Sequence, residues 1–308
     1  MLKTTISVLA LFAASPVFAQ ANCDLVRFSD VGWTDITANS AAVSLMLNAM
    51  GYETTTDILS VPVTYASMAE GDIDVFLGNW MPTMEGDIAT YRDAGTVDTV
   101  RTNLEGAKYT LATNAVGVAA GITDFASIAQ AAEALDGKIY GIEAGNDGNR
   151  LISDMITGDA FGLKDFEIVE SSEQGMLAQV ERAEERGEAI VFLGWEPHPM
   201  NANFDMTYLT GGDDYFGPNL GGATVATNSR AGYVTECPNV GKMLQNMVYT
   251  LEMENQLMAL ILDDGMDPTD AAHQWLAANP TVWTPWLDGV TTKDGGDAVA
   301  AVTAALAM

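Results

Sequence analysis

The sequence predicts an α/β protein of two lobes, and three observations predict it. Short apolar runs alternate with helical periodicities along most of the chain, the order that covers a sheet with helices. At 308 residues the chain exceeds what one small core organises. A strand-and-turn unit also occurs twice in it.

Taken in order, Leu25-Val26-Arg27-Phe28 reads as a strand and residues 39–50 as a helix. Gly51 stands where a left-handed helix cap is preferred. Ile73-Asp74-Val75-Phe76-Leu77 is a second strand. Residues 138–142 form another, followed by a loop over 143–149 and a helix from about Arg150. Residues 174–186 are helical, and 190–193 form a buried strand. Residues 238–262 carry one long helical pattern. After the Gly265 turn, Asp267 caps a last helix with Pro268 in its first position. Asn279-Pro280 ends that helix.

The repeated unit runs from Gly71 to Trp80 and from Gly187 to Trp195. Each copy reads as a helix exit, a Val-Phe-Leu-Gly strand and a tryptophan, with Pro82 or Pro197 close behind. Each lobe would then present a tryptophan at the carboxyl end of a strand, where α/β sheets bind ligands.

Composition sets the compartment. Lys3, the apolar run 6–14 and the small residues of Val17-Phe18-Ala19 make a secretory signal peptide over residues 1–19, with cleavage after Ala19. The apolar run is shorter than the ~20 residues a membrane span needs. Cys23 and Cys237 are the two cysteines, and in an oxidising compartment they most simply pair. Chain entropy credits so long a loop with about 5 kcal/mol. Metal ligation is disfavoured, because the cysteines lack CxxC spacing and only His198 and His273 could join them. A formal charge of -29 excludes nucleic-acid binding through phosphates and suits a soluble surface.

Enzyme signatures are missing. There is no G-x-S-x-G elbow and no H-E-x-x-H helix. Gly145-Asn146-Asp147-Gly148-Asn149-Arg150 lacks the Lys-Ser/Thr ending of a phosphate loop and reads as a strand-to-helix turn. The pairs Asp213-Asp214 and Asp263-Asp264 lie in polar turns and read as solvated. His198 reads as a hydrogen-bonding residue that shapes the turn after Trp195. The aromatic residues say more. Trp33, Trp80 and Trp195 follow predicted strands among Gly, Asn, Asp and Pro, outside any helical stripe, and are placed to line a cleft. Trp275, Trp283 and Trp286 belong to the helical C-terminal region and read as packing. A cage of rings suits a bulky, weakly hydrated cation.

Five segments in order carry a family resemblance. They are 28–36 around Trp33 and Asp35, 76–82 around Trp80, 107–113 around Tyr109, 145–150 around Asn146, and 192–198 around Trp195. Together they resemble periplasmic choline-binding proteins, glycine-betaine-type solute receptors of ABC importers. The resemblance covers essentially the whole mature chain, including Cys237-Pro238 and the closing stretch 292–297. It implies a two-lobed periplasmic binding protein fold of type II, with the ligand in the interlobe cleft. It further implies an aromatic box of Trp33, Trp80, Tyr109 and Trp195. Asp35 would sit near the cation, Asn146 would bond the choline hydroxyl, and Cys23 would bridge to Cys237. Lobe one would comprise 22–111 and 212–308, and lobe two 112–211. The expected partners are choline or a related quaternary amine and a membrane permease, with no cofactor and no metal. Glycine betaine, carnitine, acetylcholine and trimethylamine N-oxide share the alkylated ammonium and stay open, with Arg150 as a donor a carboxylate would need. An enzyme acting on a quaternary amine and a receptor feeding a sensor kinase are the alternatives of other classes.

Overall fold

The structure, a computed structural model, describes residues 23–308; the signal peptide expected over 1–19 lies outside the described residues. Strand β1 (Leu25–Asp30) pairs in parallel with β2 (Glu53–Ile58) and β3 (Val75–Met81). Helices α1 (Thr34–Ala49) and α2 (Val61–Glu70) form the crossovers, and α3 (Glu85–Asp93) follows β3. The long strand β4 (Val97–Asn114) then passes from one half of the molecule to the other. In the second half, β5 (Lys138–Tyr140) leads into α4 (Asp147–Thr157), β6 (Glu167–Val169) into α5 (Glu173–Arg186), and β7 (Val191–Glu196) precedes β8 (Met206–Tyr208). Strand β9 (Gly222–Arg230) returns to the first half, which α6 (Pro238–Asn246), α7 (Leu251–Leu262) and α8 (Pro268–Ala278) complete.

The sheet order is β2-β1-β3-β9-β4-β7-β5-β6, with β8 on β4. Residues 97–108 of β4 pair with β9, and residues 108–113 pair with β7. One strand therefore serves both lobes, and its switch of partner falls beside Tyr109. Helices α7 and α8 pack on α1, and Leu257 and Leu276 are buried in the core that also holds Val43 and Met46.

Several element bounds differ from the sequence expectation, each for a physical reason. Helix α1 begins at Thr34, five residues before Asn39. Its cap, Trp33, supplies no side-chain acceptor; the Thr34 N–H donates instead to Glu173 Oε2 at 2.8 Å. A carboxylate 139 residues away does the work of a local cap. Helix α4 begins at Asp147 because Asn146 Oδ1 accepts from Asn149 N at 3.1 Å, so Arg150 lies within its first turn. The single helix expected over 238–262 is two helices. Tyr249 N donates to Asn103 O on β4 at 2.7 Å, and Thr250 Oγ1 caps α7 by accepting from Met253 N at 3.1 Å. The apolar pattern hid this break, since Met247 and Tyr249 are buried too. Strands β3 and β7 extend to Met81 and Glu196, so Trp80 and Trp195 lie in the strands' last residues, not beyond them.

Other expectations agree with the structure. Gly51 has φ of +91°, and Asp267 caps α8 by accepting from Thr269 N. Both copies of the repeat leave a helix through a left-handed glycine, Gly71 at φ +83° and Gly187 at +64°, and enter a strand buried up to its last residue. Cys23 and Cys237 are joined, with Cα atoms 5.4 Å apart. The three C-terminal tryptophans are buried, with Nε1 donating to Gln256 Oε1, Leu276 O and Val248 O.

Candidate ligand-binding site

Five elements converge on one cavity. Trp33 and Asp35 come from the turn into α1, Trp80 from the end of β3, and Tyr109 from β4. Trp195 stands directly opposite Tyr109 on β7 in the antiparallel register. Asn146 stands at the N-cap of α4. These six, all singled out from the sequence, line a space of about 280 Å³ together with Ile142 and Asp147. Tyr109 sits 6.1 Å from Trp80 at an interplanar angle of 61°, and 6.3 Å from Trp195 at 80°. Edge-to-face pairs of this kind hold ring faces at fixed angles.

Polar contacts lock the rings. Trp33 Nε1 donates to Glu143 Oε1 at 2.8 Å, and Trp80 Nε1 to Asp35 Oδ2 at 3.2 Å. Tyr109 Oη donates to Asn146 Oδ1 at 2.9 Å, and Asn146 Nδ2 donates to Asp147 Oδ1 at 3.2 Å. Asn146 Oδ1 already accepts two hydrogen bonds, so toward the cavity this side chain can offer only its remaining N–H. The approach of Tyr109 to α4 depends on Gly148. A Cβ there would lie 2.1 Å from Tyr109 Oη and 2.8 Å from Cζ.

The electrostatics are one-sided. Asp35 is 2% exposed. Burial first, and then the nearby Glu173, push its carboxyl up to about 7. Among the described residues, neither Asp35 Oδ1 nor Asp147 Oδ2 has a hydrogen-bond partner. Burial drives Asp147 up to about 6, tempered by the Thr83 hydroxyl nearby; that hydroxyl's own hydrogen bond goes to Trp80 O at 3.3 Å. Glu143, behind Trp33, is raised by burial to about 7. Among the described residues, no arginine, lysine or histidine lines the cavity. Arg150, expected as a possible carboxylate donor, instead donates from Nη2 to Thr83 O and Asp87 Oδ2, each at 2.9 Å. Buried carboxylates with free acceptor oxygens and no cation favour a positively charged occupant.

The sequence reading missed Ile142, Asp147, Glu143 and Glu173. Adjacency to Asn146 was the one available signal for Asp147. Glu173 is central: its Oε1 accepts from Thr34 Oγ1 at 2.5 Å and lies 3.1 Å from His198 Nε2. His198 Nδ1 accepts from Met200 N at 2.9 Å, which leaves the ring proton on Nε2 to donate to Glu173. His198 thus shapes its turn as expected, and its ring also meets Trp195 edge-on at 4.9 Å. The contacts Trp33–Glu143, Thr34–Glu173 and Arg150–Asp87 each join one half of the sheet to the other, so the lobes are closed.

Fold and site together define a two-lobed α/β protein that encloses a small ligand in its cleft. The chain belongs to the family of substrate-binding domains of ABC-type glycine betaine transport systems, whose profile matches residues 24–278. An ABC-transporter choline-binding protein solved in complex with choline is 68% identical, with a TM-score of 0.91 over 92% of this chain and 98% of that one. A structure of an ABC-transporter choline-binding protein in an unliganded semi-closed conformation is 67% identical over 94% of this chain and 100% of that one, with a lower TM-score of 0.86. The glycine betaine/carnitine transport binding protein GbuC of Listeria monocytogenes is 30% identical over 132 residues, 43% of each chain.

Proposed function

We propose that this protein captures choline in the aromatic box and delivers it to the membrane permease of an ABC importer. The observation that carries this reading is the pairing of four aromatic rings with two buried carboxylates whose free oxygens face no cation. Trp33, Trp80, Tyr109 and Trp195 surround the trimethylammonium head, each cation–π contact contributing about 0.5–2 kcal/mol. Asp35 Oδ1 supplies the balancing charge. At the other end, Asn146 donates its remaining amide N–H to the ligand hydroxyl oxygen, and Asp147 Oδ2 accepts a hydrogen bond from that hydroxyl. The choline complex at 68% identity supports the assignment.

In this reading residues 22–111 with 212–308 form one lobe and 112–211 the other, joined by β4 and by the return into β9. The chain is exported to the periplasm, with its leader cleaved after Ala19, and it releases choline chemically unchanged. Glycine betaine is the second reading, favoured by the family's description. Its carboxylate needs donors, and Asp147 would repel it where choline's hydroxyl is welcomed. Calorimetry of ligand-free protein against choline, glycine betaine, carnitine and trimethylamine N-oxide tests the assignment. Choline should bind tightest, and tighter binding of betaine would transfer the assignment to it.

A further inference from the structure

Behind the box, outside the residues that line the cavity, lies a further buried carboxyl that the site does not use. Glu254 on α7 is 3% exposed, and Asn39 on α1 is 1% exposed. Asn39 Nδ2 donates to Glu254 Oε1 at 2.9 Å. The other oxygen of each group, Asn39 Oδ1 and Glu254 Oε2, is buried without a partner. An amide beside a carboxylate leaves two acceptors without a donor, a costly arrangement in a dry interior. An amide beside a carboxylic acid closes a ring of two hydrogen bonds, because the acid supplies the missing proton.

The geometry points to Glu254 as a proton-bearing positioning residue of the ligand site: its Oε2–H donates to Asn39 Oδ1, and this neutral pair backs Asp35 one helical turn away. The groups that face Glu254 agree with this. Asp35 and Asn39 reach it from α1, and Tyr249 from the segment before α7; none is a cation. Burial first, and then the Asp35 charge, hold the Glu254 carboxyl well above the usual carboxylate range. The consequence lies in Asp35. With Glu254 neutral, Asp35 is the carboxylate through which α1 meets the ligand, and its partnerless Oδ1 is kept free to accept the cation's charge. An ionised Glu254 would push the Asp35 carboxyl up further and leave it protonated when the ligand arrives. The pair also pins α1 against α7, fixing the rotation of the helix that carries Asp35.

This inference rests on the choline reading for its effect on affinity, but the proton can be tested without ligand. Infrared spectra of protein carrying ¹³C-labelled glutamate should show a carboxylic-acid C=O band in neutral buffer. The band should persist in alkaline buffer, after Glu143 has ionised, and be absent from E254Q. A parent spectrum with no such band in alkaline buffer overturns the inference, whether or not the variant folds. In the binding arm, E254L should lose choline affinity on the order of tenfold. E254Q, which can form the same two hydrogen bonds with Asn39, should rescue most of that loss. E254Q as weak as E254L means that the charge of Glu254 is what the site needs, which also overturns the inference. A parent that binds no choline sinks the functional reading alone and leaves the infrared result standing.

Discussion

Asp35 shows how much one side chain carries. Its carboxyl orients Trp80 through Oδ2, has no partner for Oδ1 among the described residues, and is lifted by burial to about 7. Because choline favours the ionised form, its affinity should weaken as pH falls below about 7 and level off above it. Asp35→Asn should flatten that profile and cost choline about 1–3 kcal/mol, the scale of a charge-assisted hydrogen bond. Betaine, a zwitterion, should lose less. Dissociation constants for both ligands on both proteins across pH check this. Equal losses for the two ligands would remove Asp35 as the selector. Gly148 acts by absence. A Cβ there collides with the Tyr109 ring, so Gly148→Ala should weaken choline by tenfold or more, in order-of-magnitude terms, while the far-ultraviolet circular dichroism stays that of the parent. Unchanged affinity would mean that Tyr109 can shift without cost to the box.

At the scale of elements, helix starts do most of the positioning. The first turn of α1 places Asp35, and the N-cap of α4 is itself the cavity-lining Asn146. Both starts were misplaced by sequence reasoning, for different reasons. Asn146 is a good local cap, but glycine and polar residues around it read as loop until Tyr109 packs against them. Helix α1 has no local cap, and its first N–H is satisfied by Glu173 from the other half of the molecule. The break between α6 and α7 is local chemistry masked by an unbroken apolar pattern. Thr250→Ala removes the cap of α7 and should cost about 1 kcal/mol of stability. It should lower the midpoint of denaturant unfolding and leave choline affinity near that of the parent. An unshifted midpoint would mean that the contact of Tyr249 with β4 alone sets the break.

For the whole molecule, closure and acidity are linked. Asp35, Asp147 and Glu143 all ionise less readily folded than unfolded, being raised to about 7, 6 and 7. An acid raised by folding stabilises most fully below its unfolded value of about 4 and loses that contribution as pH rises through the folded value. Glu85 and Asp136 shift the other way beside Arg92 and Lys138, but at the surface, where such pairs contribute little. The ligand-free protein should therefore lose stability between about pH 4 and 7, and choline should restore more of it at pH 7 than at pH 5. Melting curves with and without choline across that range check the sign. A choline-induced rise in Tm that is larger at pH 5 would mean that the carboxylates do not meet the cation. The Cys23–Cys237 bridge acts at this scale too. Reduction should lower Tm, with a loss of about 2–5 kcal/mol, and leave choline affinity nearly intact, because the bridge lies at the start of β1, away from the cavity. Equal melting of oxidised and reduced protein would mean that the terminus is held by packing alone.

By itself the sequence determined the α/β alternation, the repeated strand that delivers a tryptophan from each half, and Trp33, Trp80 and Trp195 as cleft residues, while Asp35, Tyr109 and Asn146 came through the family resemblance. These are legible because strand period, glycine turns and aromatic residues in polar loops are local signals, and because the five motifs recur in one order. What only the tertiary structure decided is the set of partners. Glu173 caps a helix 139 residues away, Arg150 Nη2 donates to Thr83 O and Asp87 Oδ2, Asp147 joins the cavity lining, and Glu254 faces Asn39. No local pattern marks such residues. Each acts through a group brought near by folding, and its role depends on surroundings that exist only in the folded molecule.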